Sequence, residues 1–150
     1  MDIKFIKPKY HDLYLRTKLL QDENTMSFNH NYGGTIAFKE SDYKTWYEKW
    51  INGSDRYYYY VYFNNTFVGE AAYHLDNKKY MINIIIDSRY RNMGIGNIVL
   101  NLLIDDAKQK GISEIYDEIA FDNPSINLFI KNGFKIVEQN KESILIKKNI

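Results

Sequence analysis

The spacing of hydrophobic residues in the first third of the chain predicts a strand followed by two helices. Ile3 to Ile6 is a short apolar run, and residues 11–21 carry leucines at loose helical spacing. Residues 24–36 are rich in asparagine and glycine, a composition typical of a loop. A second helix follows, because five large side chains recur on one helical face: Tyr43, Trp46, Tyr47, Trp50 and Ile51. We interpret this stripe as core-facing, in preference to a surface that binds a cationic substrate.

The middle of the chain predicts three consecutive antiparallel strands. The predicted strands are 57–63, 67–75 and 80–87, and the turns between them are Asn64-Asn65 and 76–79. Short turns between neighbouring strands are typical of an antiparallel meander. The centre of the third strand, 82–86, is mostly isoleucine, and we expect it to be buried on both faces of the sheet.

After the meander the hydrophobic period changes to that of a helix that ends near Gly111. Its apolar stripe consists of Ile95, Ile98, Val99, Leu102, Leu103 and Ala107. A buried strand at 115–121 comes next. Asn123 is a good N-cap before Pro124, and we expect a helix from there to Asn132-Gly133. Residues 134–138 and 143–148 close the chain as a predicted hairpin.

Length and composition favour one domain spanning residues 1–150, because a chain of 150 residues with 45% hydrophobic residues suits a single core. The net charge is +1 and no long basic run is present, so nucleic acid is a poor candidate partner. Cysteine is absent, which excludes disulfides and thiolate zinc sites. With three scattered histidines we expect no metal. No apolar run of about 20 residues suggests a membrane span, so we expect a soluble, cytoplasmic protein.

The clearest local motif joins the third strand of the meander to the long helix, where Arg89, Arg91, Gly94 and Gly96 lie between them. Glycines let the backbone approach a ligand, and the first helical turn offers unpaired N–H groups with about half a positive charge. Guanidinium groups suit phosphate oxygens. The motif therefore predicts an anion-binding site, although Gly-x-Gly can also serve only a tight turn and close packing.

A second segment, 123–134, follows the next strand and opens another helix. If the strand at 115–121 is parallel to the one at 80–87, both helix N-termini lie at the carboxyl ends of neighbouring strands. Ligands of α/β proteins bind in such crevices.

These two segments resemble the acetyl-CoA-binding motifs of the GNAT N-acetyltransferase superfamily. The first motif is a strand followed by Tyr-Arg, Gly-x-Gly and a helix. Ile84 to Leu103 match it. The second is matched by Asn123, Phe129, Gly133 and Phe134. The resemblance extends over nearly the whole chain. It implies a mixed α/β (α+β) fold with a mostly antiparallel central sheet of six to seven strands. It further implies about four helices on the faces of the sheet and a splay between parallel fourth and fifth strands.

The resemblance also implies a set of cofactor-binding residues for acetyl-CoA. The Arg91 side chain and the backbone N–H groups of Asn92, Met93, Gly94, Ile95, Gly96 and Asn97 would hold the pyrophosphate. Ile84 and Ile86 would offer backbone groups to the pantetheine arm, and a bulge there would direct an N–H at the thioester oxygen. Asn123 would hydrogen-bond the same arm, in addition to or instead of its N-cap role.

The chain departs from the family pattern at Phe129, where many members have a tyrosine that protonates the leaving thiolate. Phenylalanine cannot do this, so either another hydroxyl serves or the thiolate leaves unassisted. Asn92 stands where the family often has glycine, but asparagine tolerates unusual backbone angles.

A general base is required, because an alkyl ammonium has no lone pair. The candidate catalytic residues are Glu70, His74, Asp117 and Glu118. Each also has a structural interpretation: a solvated strand face for Glu70 and Glu118, a hydrogen-bonded core group for His74, and an anchor for Asp117. Asp117 alternates with apolar residues and is expected to be desolvated. We also predict that loop 30–34 contacts the substrate.

The predicted function is therefore transfer of an acetyl group from acetyl-CoA to a primary amine of a small molecule or peptide, by direct attack on the thioester. Two alternatives stay open. One is a non-catalytic acetyl-CoA sensor, suggested by Phe129. The other is a dinucleotide-binding oxidoreductase, in which Asp117 would be the ribose-binding acid. The sequence leaves the oligomeric state open, with a homodimer as one option.

Overall fold

The computed structural model describes residues 2–150, without the side chains of residues 31 and 32. The strands are β1 Ile3–Ile6, β2 Arg56–Phe63, β3 Thr66–Asp76, β4 Lys79–Ile86, β5 Glu114–Ala120, β6 Lys135–Gln139 and β7 Ser143–Asn149. The α-helices are α1 Leu13–Gln21, α2 Glu40–Trp50, α3 Ile95–Gln109 and α4 Ile126–Lys131. Short 3₁₀ turns lie at Tyr10–Asp12, Ser27–Tyr32 and Ser88–Tyr90.

The seven strands form one sheet in the order β1-β2-β3-β4-β5-β7-β6. All neighbours are antiparallel except β4 and β5, which run parallel. These two strands share a single registered pair, Met81 with Tyr116, and part beyond it. The predicted fold class is confirmed, including the parallel splay at the centre of the sheet.

Left-handed residues close the meander turns. Asn64 and Asn65 have φ of 46° and 68° between β2 and β3, and Asn77 and Lys78 have φ of 48° and 66° between β3 and β4. Two successive positive φ angles are typical of the type I′ turn, whose twist matches that of the strands. The predicted meander is therefore closed by two-residue turns at both ends of β3.

Alternate residues of the strands pack into separate cores on the two faces of the sheet. On one face, Val61 and Tyr73 join the buried stripe of α3, including Val99 and Leu103. On the other face, Tyr58, Tyr60 and Ala72 meet residues of α1 and α2. The aromatic stripe of α2 faces inward as predicted but is only partly buried, and its Trp46 packs edge-on against Tyr58 at 4.8 Å.

Two element predictions differ from the structure. The centre of β4 is not buried on both faces: Asn83 is exposed and Ile84 and Ile85 are half-buried, because β5 diverges there. The α-helical part of α4 begins at Ile126 and not at Pro124. The predicted cap bond does form, since the Ser125 N–H donates to Asn123 Oδ1 at 2.9 Å, but the first turn makes i→i+3 bonds.

Candidate functional site

A cavity of about 450 Å³ opens where β4 and β5 part. Its walls come from the ends of these strands, the first turns of α3 and α4, and the loop between α1 and α2. The predicted site residues that line it are Ile84, Ile86, Arg91, Asn92, Gly94, Ile95, Gly96, Asp117, Glu118, Asn123 and Phe129. Met93, Asn97, Glu70 and His74 are not part of this lining within the described residues.

The N-terminus of α3 forms one end of the cavity. Asn92 and Gly94 both have left-handed backbone angles, with φ of 61° and 82°, which turn the chain sharply out of the strand and into the helix. Gly94 is the N-cap residue, and among the described side chains none caps the helix. The first intrahelical bond reaches back from Ile98 N–H to Gly94 O at 3.4 Å. The N–H groups before it, with the helix dipole behind them, can therefore bind an anion.

The two glycines of this turn have different surroundings. A Cβ on Gly94 would meet nothing within 4 Å, so the backbone there faces open space. A Cβ on Gly96 would lie 3.4 Å from Leu128 Cδ2, so this glycine allows α4 to pack closely on α3. The Asn97 side chain reinforces that contact, because its Oδ1 accepts a bond from Asn132 Nδ2 at 2.8 Å. Asn97 thus joins α3 to α4 through its side chain, while its backbone belongs to the first turn of α3.

Arg91 connects the anion-binding turn to the loop between α1 and α2. Its guanidinium donates to the carbonyl oxygens of Asn24 and Thr25 at 3.3 and 2.5 Å and lies 5.6 Å from the centre of the Phe28 ring. Partial burial lowers the pKa of Arg91. A further bond, from Ser88 N–H to Thr25 Oγ1 at 3.0 Å, joins the same two loops. Three of the five guanidinium N–H groups are not used in these two bonds, so Arg91 can still contact a phosphate.

Arg89 does not contribute as the sequence suggested. Its guanidinium is 78% exposed and forms an ion pair with Asp87, at 2.7 and 3.1 Å. The hydrogen bonds from Arg89 hold the pKa of Asp87 below its usual range. The prediction that both arginines add net positive charge at the turn is therefore wrong for Arg89, because Asp87 compensates its charge locally.

The edge of β4 that faces the gap offers backbone groups of Ile84 and Ile86. The N–H of Asp87 donates to Val68 O at 2.8 Å, so the odd-numbered residues of this segment bond to β3. Since the bonding direction alternates along a strand, the N–H and C=O groups of Ile84 and Ile86 point toward β5. An extended ligand lying in the gap can pair with them as an added strand.

The bulge expected in this segment is absent from the described pairing. The register between β3 and β4 runs without a shift from Gly69 opposite Ile86 to Asp76 opposite Lys79. The irregularity lies instead between β2 and β3, at Val61 and Tyr62. The close approach of β4 to its neighbour occurs at Gly69, where a Cβ would lie 2.2 Å from Ile85 O. A glycine in β3 thus accommodates the path of β4, so β4 itself needs no extra residue.

Glu70 lies in the core beside α1, away from the cavity. It is fully buried, and its Oε2 accepts bonds from Arg16 Nε at 2.9 Å and from the Tyr58 hydroxyl. Arg16 in turn lies 4.5 Å from the ring centre of Phe38 and 4.7 Å from that of Trp46. The interpretation of Glu70 as part of a solvated strand face is therefore wrong. The face of β3 that carries Glu70 is covered by α1 and α2.

His74 lies near the far end of β3, opposite Arg56 and Met81. Its ring is 5.1 Å from that of Trp50, and burial lowers its pKa. The buried Nδ1 has no hydrogen-bond partner among the described residues, which contradicts the expected hydrogen-bonded core group. The structure does not bring His74 to the same cavity as Asp117.

Asp117 and Glu118 both line the cavity, from opposite faces of β5. Asp117 Oδ1 accepts the Glu118 N–H at 2.8 Å, and burial raises the pKa of Asp117 well above its usual range. Glu118 is exposed, and its Oε1 accepts a bond from Ser143 Oγ at 2.8 Å. Two of the four candidate bases are thus adjacent to the gap, and each is held by a hydrogen bond to one oxygen.

Phe129 lines the cavity from α4 and is buried, with its ring edge-on to Phe134 at 5.1 Å. The hydroxyl groups in the described lining belong to Thr25, Tyr90 and Ser125. Thr25 Oγ1 donates its proton to Asp22 Oδ2 at 2.5 Å, which leaves Tyr90 and Ser125 with hydroxyl protons that can face a ligand. Neither was identified from the sequence, because isolated hydroxyl residues in a loop carry no pattern.

The loop between α1 and α2 lies across the mouth of the cavity. Phe28 and Asn29 line it, and His30 Nε2 lies 3.0 and 3.1 Å from the carboxylate oxygens of Asp122 after β5. The prediction that loop 30–34 contacts the substrate remains a prediction, and the side chains of residues 31 and 32 lie outside the described structure.

Within residues 2–150, no group of three or more potential ligands could hold a metal. No described helix has the length and hydropathy needed to cross a bilayer.

Comparison with known proteins agrees with this architecture. The family model of the acetyltransferase (GNAT) family matches residues 17–134. The chain therefore belongs to the acetyltransferase (GNAT) family, whose co-substrate is acetyl-CoA, and it is an acyltransferase by family. This assignment overturns the dinucleotide-binding oxidoreductase alternative. The physical reason is that the glycine turn follows an antiparallel meander and opens onto two separated strands.

Three solved structures illustrate the similarity of fold. PaiA N-acetyltransferase from Thermoplasma acidophilum, in complex with coenzyme A, matches with a TM-score of 0.75 and 17% identity, over 100% of both chains. A domain from Methanocaldococcus jannaschii matches with a TM-score of 0.81 and 22% identity, over 99% of both chains. Spermidine N-acetyltransferase from Vibrio cholerae, in complex with CoA and spermine, matches with a TM-score of 0.82 and 17% identity, over 98% of this chain and 95% of that one.

Proposed function

We propose that this chain, as one domain, transfers the acetyl group of acetyl-CoA to a primary amine of a small molecule or peptide. The observation that supports this is that two parts of one cavity suit groups of opposite charge. An uncapped helix N-terminus with Arg91 forms one end of it, and the carboxylate of Glu118 stands at the gap between the strands. The helix N-terminus suits a diphosphate, and the carboxylate at the gap suits an ammonium group.

The residues at the gap offer groups suited to the parts of acetyl-CoA. The N–H groups of residues 92–97 and the Arg91 side chain would hold the pyrophosphate, and Ile84 and Ile86 would pair with the pantetheine arm. Asn123 lines the same wall, but its Oδ1 already accepts the Ser125 N–H. Its side-chain amide hydrogens would therefore be the groups available to the arm.

Glu118 is the general base that the geometry favours. An amine that enters from the face of α1 and α2 meets the Glu118 side chain, whereas Asp117 points to the face of α3 and α4. The acceptor ammonium first gives up a proton through Glu118. The amine nitrogen then bonds to the thioester carbonyl carbon, and the sulfur leaves with the electron pair of the broken C–S bond. One of the two remaining N–H protons passes to Glu118 or to water, and the product amide keeps the other.

The leaving thiolate needs little assistance. Its pKa is near 8 to 9 by analogy with a cysteine thiol, so it is a tolerable leaving group near neutral pH. Phe129 provides a dry wall against Phe134 and no proton. Ser125 and Tyr90 are the hydroxyl groups of the described lining that would protonate the sulfur if protonation accompanies C–S cleavage.

The test is release of CoA thiol with a panel of amines. Two solved relatives set the range of the panel: the Vibrio cholerae enzyme was crystallised with spermine, and an Escherichia coli relative is a ribosomal-protein-S18-alanine N-acetyltransferase. The panel therefore runs from polyamines to peptide N-termini. We expect release with at least one amine.

Substitution of the proposed base gives the sharper result. Glu118→Gln should lower kcat by roughly 100- to 10,000-fold with unchanged affinity for acetyl-CoA, because loss of a general base usually costs that much. Glu114→Gln is the matched control, since Glu114 lies on the same strand but pairs with Lys147 at 3.0 Å, outside the cavity lining. A loss of kcat in Asp117→Asn, with no loss of kcat in Glu118→Gln, would assign the general base to Asp117.

A non-catalytic acetyl-CoA sensor is the second candidate, and Phe129 is the observation that favours it. A domain that only binds the co-substrate needs no proton donor at that position. Binding of acetyl-CoA in calorimetry, with no thiol release for any amine of the panel, would support the sensor and reject the enzyme.

A further inference from the structure

Ser143 is placed beside Glu118 by the register of β5 and β7. Leu145 is the direct partner of Glu118, and Ser143 is the direct partner of Ala120. Ser143 is therefore the diagonal neighbour of Glu118 on the same face of the sheet, a position within reach of a long side chain. It is also one of the few polar residues that the fold buries, with 9% of its surface exposed.

The Ser143 hydroxyl donates to one oxygen of the Glu118 carboxylate, with Oγ and Oε1 2.8 Å apart. A bond to a charged acceptor is stronger than one between neutral groups. Because it uses Oε1, the second oxygen, Oε2, is the one left to take a proton from an acceptor amine. The hydrogen bond thereby restricts the orientation of the carboxylate at the gap.

The backbone of Ser143 is itself held rigidly by the turn between β6 and β7. Its N–H donates to Asn140 Oδ1 at 2.9 Å, and its carbonyl accepts the Asn140 N–H at 3.0 Å. Asn140 Oδ1 also accepts the Glu142 N–H at 2.8 Å, and the Glu142 carbonyl accepts the Phe121 N–H at 2.9 Å. The hairpin at the end of the chain thus forms a fixed support behind Glu118.

We propose that Ser143 is a positioning residue for acetyl transfer, which orients Glu118 so that Oε2 faces the acceptor amine. This inference rests on the proposed function, with Glu118 as its base. Ser143 does not touch the substrate, and its contribution is geometric. A general base displaced by about 1 Å loses up to about 100-fold in rate, so removal of the hydroxyl should lower kcat by roughly 10- to 100-fold.

The test compares Ser143→Thr with Ser143→Val. Both replacements are β-branched, suit a strand and have nearly the same shape, but only threonine keeps the hydroxyl. We expect Ser143→Val to lower kcat by roughly 10- to 100-fold while the KM for acetyl-CoA and the melting temperature match those of Ser143→Thr. Ser143→Thr should keep most of the wild-type kcat. A merely structural role would change the two variants alike.

A double variant provides the second readout. In a Glu118→Gln background, Ser143→Val should cause no additional loss of kcat, because the side chain that it positions no longer acts as a base. Equal activity of the threonine and valine variants, or a full additional loss in the double variant, would overturn the inference. So would loss of activity in Asp117→Asn with none in Glu118→Gln. Absence of turnover in the wild-type protein with every amine would instead reject the proposed function.

Discussion

The two ends of α3 allow a controlled test of the anion-binding turn, because each carries a left-handed glycine in open space. Gly94 precedes the helix with φ of 82°, and Gly111 follows it with φ of 79°. A Cβ at either position would meet nothing within 4 Å. Only Gly94 belongs to the lining of the cavity. Replacing each by alanine therefore applies the same backbone strain at a binding and at a non-binding position.

The expected free-energy changes distinguish an effect on stability, which both variants share, from an effect on CoA binding, which only the Gly94 variant should show. An alanine held in the left-handed region costs about 1–2 kcal/mol, so both variants should lose a similar amount of stability. For a chain of this size, each kcal/mol corresponds to a fall of about 2–4 °C in melting temperature. At Gly94 the added methyl group would, under the proposed function, also face the diphosphate. Loss of one charged hydrogen bond there costs about 1.5–3 kcal/mol, or roughly 10- to 100-fold in the Kd for CoA.

The assay is calorimetric titration with CoA, together with thermal unfolding of each variant. We expect Gly94→Ala to bind CoA roughly 10- to 100-fold more weakly than Gly111→Ala, at similar melting temperatures. If the two folded variants bound CoA equally well, the turn before α3 would not be the diphosphate site. If both lost affinity equally, the loss would reflect strain in α3 and not a lost contact.

Three further predictions concern charge and close contact around the site. Burial raises the pKa of Asp117, so its contribution to stability is present below its unfolded pKa of about 4 and is lost as the pH rises through the folded pKa. Asp117→Asn should therefore be more stable than wild type at neutral pH and no more stable near about pH 3, as measured by urea unfolding. Gly69→Ala should cost about 1–3 kcal/mol in the same assay, because its Cβ would lie 2.2 Å from Ile85 O. Arg91→Lys should weaken CoA binding roughly tenfold and speed amide exchange in the loop between α1 and α2, because lysine cannot bond two carbonyls and lie on Phe28 together.

Much of the fold follows from local patterns in the sequence. The double asparagine at 64–65 predicts a tight turn, and its two positive φ angles show why asparagine is suited there. The predicted α3 stripe is correct for four residues that are buried, and wrong for two pairs. The four are Ile95, Val99, Leu103 and Ala107; the stripe wrongly includes the half-buried Ile98 and Leu102 and omits the buried Leu100 and Ile104. The element order suggested a neighbouring parallel pair, because the glycine turn and the second helix start at the ends of successive strands, whereas the splay of that pair was implied only by the family resemblance.

Long-range partners were not predictable in the same way. Alternation places Glu70 on a face of β3, but nothing local indicates that Arg16, 54 residues earlier, would pair with it. Likewise, the bond between Ser143 and Glu118 depends on the register of two strands joined by a helix and a hairpin. Arg89 is a local exception, because Asp87, only two residues away, pairs with it and neutralises its charge. Patterns indicate which face a residue occupies, whereas partners depend on packing.

The separation of β4 and β5 has a kinetic consequence. Phe28 lines the gap from the layer that holds α1 and α2, while Leu128 lines it from the layer that holds α3 and α4. The opening therefore passes through the sheet, and one ligand can enter on each side without blocking the route of the other. Under the proposed function, we expect such a passage to favour a ternary complex, in which neither product has to depart before the second reactant arrives and no side chain has to carry the acetyl group.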